Sequence, residues 1–318
     1  MRVATTTAYS QAVNSMNSQN YTLNKTMQQI STGQRILVPS DDPAASARVL
    51  GLNQAKERTE QFQDNIAALK SALEVEETSL NSIVNSLQRV RELAIQANND
   101  TYDANQRKDM AVEVQQGLEA IVGFANMTNG GGDFLFGGYD NRNIPFVMDV
   151  SGTTVTYTGD QGQQFLQIGS ARQIASGDNG FDMFMSIKGS DNGSDPADNI
   201  PMSVFAIVSE LETAMDTDLG TAGTEDFHDS VLRSIANLDK AIGQIVDAQA
   251  AIGARLNATD AQESVNEDYL IQVASTLSTT QDLDYAEAIS RLELEQVGLQ
   301  AAQQSFTKIQ SLSLFNYL

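Results

Sequence analysis

The chain of 318 residues has no cysteine, no tryptophan, one histidine (His228) and five prolines, and it sets 19 Lys and Arg against 41 Asp and Glu. Each shortage closes a class of chemistry. Without cysteine there are no disulfides, thiolate metal ligands or cysteine nucleophiles. A lone imidazole cannot build a multi-histidine metal centre, and its place near a helix start at Thr224 predicts a capping or solvent-exposed role. A formal net charge of −22 repels phosphate backbones and anionic lipid heads, and no basic stripe offsets it, so nucleic acid and membrane insertion are not expected. No run approaches the ~18 apolar residues of a membrane span, and Met1 to Thr7 lack the apolar core of a secretory signal. The expectation is a soluble, uncleaved chain. Aromatics reach only 6% while hydrophobics reach 41%, enough for a core but unlike an enzyme with a deep aromatic pocket.

What is present is order along the chain. All five prolines fall outside 44–128 and 202–318, and 13 of the 22 glycines lie between Gly130 and Gly193. The reading is therefore helix, then sheet, then helix. Phe62, Ile66, Leu69, Leu73, Glu76, Leu80, Ile83, Leu87, Val90, Ala94 and Ala97 follow spacings of four and three without a slip, which is a heptad seam. A second seam runs from Val231 through Leu238, Ile245, Gln249, Ile252, Glu263 and Asn266 to Leu277. The simplest closure pairs the two antiparallel, and a helix from 44 to 100 would span roughly 85 Å. The predicted fold is mainly α with an inserted β domain: an elongated antiparallel coiled-coil or helical bundle with a small β-rich outer domain. Asp42 before Pro43, Asp103 with Gln106 and Asp284 with Glu287 mark three helix starts, and a third helix is expected over about 104–128. Short strands are expected at 146–148, 153–157 and 165–168.

The ends carry seams of their own: Tyr9, Val13, Met16, Leu23, Met27 and Ile30 in one, and Ile289, Leu292, Leu299 and Phe306 in the other, continued by Leu312 and Phe315. Paired, they form a two-helix stem that leaves apolar surface wet, the mark of a subunit that is stable beside neighbouring chains. These twelve residues are the expected assembly interface. The predicted domains are a stem (1–40 and 280–318), a helical rod (41–130 and 202–279) and a β-rich outer part (131–201).

No catalytic, cofactor-binding or metal constellation emerges. The glycines at 130–132 and 137–138 lack the spacing of a phosphate-binding loop and read as a hinge between helix and sheet. Asp191 to Asp195 has the flavour of a calcium loop without its sixth-position Gly or twelfth-position Glu. Asp282 and Asp284 fit capping better than an acid/base pair. Polar residues within the seams (Glu76, Gln249, Glu263, Asn266) are expected to set register.

Several motifs resemble the bacterial flagellin family. Ile30 to Ile36 (ISTGQRI) with Ser40 to Ala45 (SDDPAA), Leu87 to Ala97 (LQRVRELAIQA), Asp282 to Arg291 (DLDYAEAISR) and the closing Gln303 to Leu318 occur in that family's order, over roughly the first 130 and last 95 residues. In the middle, Gly132 to Tyr139 (GDFLFGGY), Pro145-Phe146 and Tyr157 to Gly162 (YTGDQG) resemble its hook-associated branch. The resemblance implies a structural adaptor rather than an enzyme. It implies terminal helices in the inner tube of the flagellum and a β-rich part facing outward. The implied partners are a first hook–filament junction protein, flagellin and further copies of the chain, with an export chaperone at the C-terminal region and the flagellar type III export apparatus. The implied location is extracellular, at the junction of hook and filament, after a transient cytoplasmic stage. A divergent flagellin that builds the filament itself is the alternative.

Overall fold

The proline-free stretches become long helices because nothing in them interrupts the backbone ladder. In the computed structural model, which describes residues 2–189, 200–217 and 224–311, α1 spans Arg2–Thr32, α2 Pro43–Ala97 and α3 Ala104–Ala125. Six strands follow among the described residues: β1 (Phe146–Met148), β2 (Val155–Tyr157), β3 (Phe165–Gly169), β4 (Arg172–Ala175), β5 (Ile187–Gly189) and β6 (Ile200–Met202), with a π-helical turn at Phe181–Met185. Among the described residues, helices α4 (Val204–Asp216), α5 (Thr224–Gln281) and α6 (Tyr285–Ser311) come next. The described residues fall into two compact units, one up to Glu60 with those from Glu267 on, the other Gln61–Asn266.

In the 61–266 unit, α2 and α5 lie antiparallel, as their cross-links show. Gln63 Nε2 donates to the Glu263 carbonyl, Lys70 pairs with Asp260 (2.6 Å) and Glu263, Gln249 Nε2 donates to Asn81 Oδ1 (3.0 Å), and Arg91 pairs with Asp239. Every α2 seam position from Phe62 to Ala97 is buried, including Glu76. Helices α3 and α4 pack together and present Val114, Leu118, Ile121, Ile207, Val208 and Leu211 to the same core. Each such side chain contributes on the order of 1.5–3 kcal/mol of burial.

Among the described residues, the β-rich segment forms three separate two-stranded antiparallel sheets, β1–β2, β3–β4 and β5–β6. Two-stranded ribbons are weak alone. Here β1–β2 is anchored by rings through Phe146: Phe136, Phe146, Phe184 and Phe205 are all buried, with Phe184 edge-on to Phe136 (5.1 Å) and to Phe146 (5.5 Å). Gly180 fits against this cluster because a Cβ there would meet the Phe146 ring at 2.6 Å.

In the other unit, α1 and α6 pack against each other, with Tyr9 and Phe306 rings 5.3 Å apart. Gln34 bridges to Asp282, Leu283 N–H donates to the Gly33 carbonyl (2.9 Å) and Arg35 N–H donates to the Gln281 carbonyl (2.8 Å). Gly33 ends α1 at a positive φ of 71°, which a side chain would strain, and Tyr285 Oη occupies the space beside it.

Several expectations need correction. Helix α3 stops at Ala125, short of 128, because the Asn126 carboxamide turns to bond the Phe146 backbone through both its oxygen (3.0 Å) and its nitrogen (2.8 Å). The Asp103–Gln106 capping box is complete. At Asp284 only half a box forms: the Asp284 carboxylate accepts from Glu287 N–H, while the Glu287 side chain goes to Arg291 (2.6 Å). Strand β2 begins at Val155, since Thr153 and Thr154 N–H groups are taken by the Asp149 carboxylate in the hairpin turn. Strands β4, β5 and β6 are not legible in the sequence, and the described residues from 202 to 281 are divided between two helices, α4 ending at Asp216 and α5 beginning at Thr224. The calcium-loop resemblance at 191–195 lies outside the described residues.

Candidate assembly surfaces

Burial separates the interface residues expected from sequence into three groups. Val13, Met16, Leu23, Ile30, Leu292, Leu299 and Phe306 are half-buried between α1 and α6. Tyr9 (50%), Met27 (50%) and Ile289 (48%) stay exposed at the edge of that seam. Leu312 and Phe315 lie outside the described residues.

The apolar surface also extends past the single stripe that the spacing singled out. Tyr21 (71% exposed), Leu294 (73%) and Val297 (64%) stand outside it. Leu294 and Val297 are three apart on α6 and share one face, a second short stripe that a search for one continuous seam overlooks. Polar burial in this pair is incomplete as well: Gln19 Oε1 and Glu295 Oε2 are shut from solvent without a hydrogen-bond partner among the described residues. Groups left like this are costly unless another molecule completes them. The α1–α6 pair thus carries exposed apolar stripes together with two buried polar atoms that have no partner among the described residues.

The polar seam residues of the 61–266 unit are all placed, but not all act across the helix pair. Gln249 and Glu263 bond α2 side chains as a register device would. Asn266 Nδ2 instead donates to the Ile168 carbonyl of β3 (2.9 Å). Glu76 turns to the loop after β4, where its Oε1 accepts from the Asp178 N–H (3.0 Å) and its Oε2 has no partner among the described residues. Beside it Asp178 holds Arg255 of α5 in a two-pronged ion pair at 2.7 and 3.1 Å. Burial, with the Asp178 carboxylate next, pushes the Glu76 carboxyl up to about 8. These residues thus lock the β-rich segment onto the helices rather than setting helix register alone.

His228 also departs from expectation. It neither caps α5 nor stands free: Nδ1 lies 2.7 Å from Asn98 Oδ1 and Nε2 3.0 Å from Asp100 Oδ1, so it ties α5 to the loop after α2. No group of three or more metal-ligating side chains is gathered among the described residues, and no described helix is long and apolar enough to cross a membrane.

Comparison with known proteins agrees with the distribution of motifs. Residues 3–141 match the bacterial flagellin N-terminal helical region. The flagellar hook-associated protein 3 of Salmonella typhimurium is 26% identical over 319 residues, covering 99% of both chains. The phase 1 flagellin of Salmonella naestved is 34% identical over 122 residues, but that covers only 36% of this chain and 23% of the flagellin. The crystal structure of the flagellar junction protein from Legionella pneumophila superposes with a TM-score of 0.59 at 24% identity, covering 74% of this chain and all of that one, which supports the mostly helical fold with a small β region. Residues 3–141 thus resemble the N-terminal helical region of bacterial flagellin, and the chain is similar along its whole length to hook-associated protein 3, whereas its likeness to filament flagellin is partial.

Proposed function

We propose that the protein is a structural adaptor subunit of the bacterial flagellum, joining the hook to the flagellin filament at their junction. The observation that carries this reading is the extent of similarity: it runs end to end with hook-associated protein 3 but covers only about a third of the chain with flagellin. The terminal helices supply the means. Copies pack side by side through the stem (1–40 and 280–318), burying the stripes that hold Tyr9, Met27, Ile289, Leu294 and Val297 against neighbouring stems. The rod (41–130 and 202–279) forms the next shell and the β-rich part (131–201) faces outward.

One end of such a ring meets a first junction protein on the hook side, and the other meets flagellin. The role is structural and involves no catalysis. Before assembly the chain passes through the flagellar type III export apparatus as an unfolded polypeptide, with a chaperone on its C-terminal region, and its final location is extracellular. The acidic, cysteine-free composition suits that route, because no disulfide must form before or after passage.

Gold-labelled antibody on isolated flagella tests the proposal by electron microscopy. A narrow band between hook and filament is the expected result. Label along the whole filament would make the protein a filament flagellin, the second reading that the N-terminal flagellin match favours. Absence of label from the flagellum would overturn both.

A further inference from the structure

The sequence holds three Asn-Gly pairs, at 129–130, 179–180 and 192–193, the last outside the described residues. The first two sit in opposite environments. Asn129 Oδ1 accepts hydrogen bonds from Gly131 N–H (2.8 Å) and Asp133 N–H (3.0 Å), so the side-chain carbonyl is folded over the following peptides and polarised by two donors. The intervening Gly130 N–H has no partner among the described residues, Gly130 is exposed, and a Cβ added to it would meet nothing within 4 Å. At the second pair the corresponding nitrogen is occupied: Gly180 N–H donates to the Phe136 carbonyl (3.0 Å), and Gly180 is buried against Phe146 and Tyr157. Asn179 is held by both ends of its carboxamide, accepting from Asp182 N–H and donating to the Asp182 carboxylate, each at 2.8 Å.

We infer that Asn129 is a site of spontaneous self-modification, in which the chain converts it to aspartate and isoaspartate through a cyclic imide with Gly130, while Asn179 is protected by the fold. The Gly130 nitrogen gives up its proton to water and bonds to Asn129 Cγ. The developing oxyanion on Oδ1 is met by the Gly131 and Asp133 N–H groups, an arrangement that stabilises such charge. The Cγ–Nδ2 bond then breaks as Nδ2 takes a proton back from water, and ammonia leaves. Water opens either imide bond, leaving ordinary aspartate at position 129 or, with the main chain rerouted through the side chain, isoaspartate. Aspartate keeps an oxygen for the two amides. Isoaspartate lengthens the backbone inside the turn that carries the Thr128–Phe134 bridge and the Leu135 N–H to Met127 carbonyl bond (3.1 Å), and so loosens the anchor of Phe136 in the aromatic core.

The test ages the purified full-length protein at mildly alkaline pH and follows each Asn-Gly peptide by mass spectrometry with separation of the two acid isomers. In the folded protein, Asn129 is expected to convert at least about tenfold faster than Asn179, which must first open locally, and the gap should vanish in denaturant. Gly130→Ala, whose methyl has open space, should slow the first site at least about tenfold by hindering ring closure, with the fold unchanged by circular dichroism. Equal rates at the two sites in the folded protein would overturn the inference. So would an unchanged Asn129 while the denatured control converts.

Discussion

The two helix pairs of this molecule are written in the same sequence language and end in different states. The α2–α5 seam and the α1–α6 seam both alternate apolar residues by three and four. Yet Leu80 and Ile83 in the first are fully buried, while Tyr9 and Ile289 in the second are about half exposed. The difference is not in the stripes but in what lies beyond them. Residues of α3, α4 and the phenylalanine cluster add further layers to the core that α2 and α5 share. Among the described residues, nothing comparable covers α1 and α6. A heptad pattern therefore specifies that a helix will find a partner, and the number of partners decides how much surface leaves water.

The sharpest break of that comparison is a matched pair of truncations. Ile83→Ala removes a fully buried side chain in the 61–266 unit and should cost about 2–5 kcal/mol in denaturant unfolding. Leu294→Ala, at a site 73% exposed, should change the stability of the isolated chain by no more than about 0.5 kcal/mol. The order should reverse in assembly: Leu294→Ala weakens incorporation into flagella, whereas Ile83→Ala lowers the amount of folded subunit. Equal stability losses for the two variants would show that α6 is already fully packed in the single chain.

Next in size is the pH dependence of Glu76. Its carboxyl is lifted from 4.5 to about 8, mainly by burial. Between those values the folded chain holds a proton that the unfolded chain has lost, so stability falls as pH rises through this window, by at most about 1.4 kcal/mol per pH unit. Below the window the group adds no slope, and above about 8 the loss is complete. Glu76→Gln keeps an oxygen for the Asp178 N–H and cannot ionise, so it should erase the slope and leave the variant a few kcal/mol more stable above pH 8. A slope unchanged by the substitution would assign it to other carboxyls.

How far the sequence reveals these features follows from how local their causes are. The starts of α2 and α3 are legible because a cap is written within four residues: Ala45 N–H finds Asp42, and Asp103 exchanges bonds with Gln106. The α2 seam is legible because its period never slips. Strands β4 to β6 are not, since Arg172-Gln173-Ile174-Ala175 shows no alternation and is held by its pairing with β3. The Glu76 contact is equally hidden, because Asp178 is a hundred residues away and only the folded loop brings its N–H to the helix. Of the expected interface residues, the half-buried ones follow from period alone. Tyr21, Leu294 and Val297 escape it because a helix open on several sides need not confine its apolar residues to one stripe.

A smaller effect probes the stem itself. Tyr9 and Phe306 close the far end of α1 against α6 at 5.3 Å, and such ring pairs are worth about 0.5–1.5 kcal/mol beyond area. A double-mutant cycle with Tyr9→Ala and Phe306→Ala should return a coupling in that range by hydrogen exchange of α1 amides, with no change in the amides of α3. Zero coupling would mean that the two helices are not paired at this end in the free chain.

The least effect is expected from the surface ion pairs, which is itself informative. Arg91 of α2 and Asp239 of α5 are 2.5 Å apart, but their side chains are 38% and 51% exposed. Solvent screening and the entropy of holding two long side chains leave such a pair worth about 0.2–1 kcal/mol. A cycle of Arg91→Met and Asp239→Asn should give a coupling in this range that shrinks further in high salt. The antiparallel register of α2 and α5 should survive both substitutions, because Leu87, Val90, Leu238 and Ile245 remain buried between them. A register shift, seen as altered amide protection along the whole of α5, would instead make the charges, and not the apolar stripe, the element that aligns the two long helices.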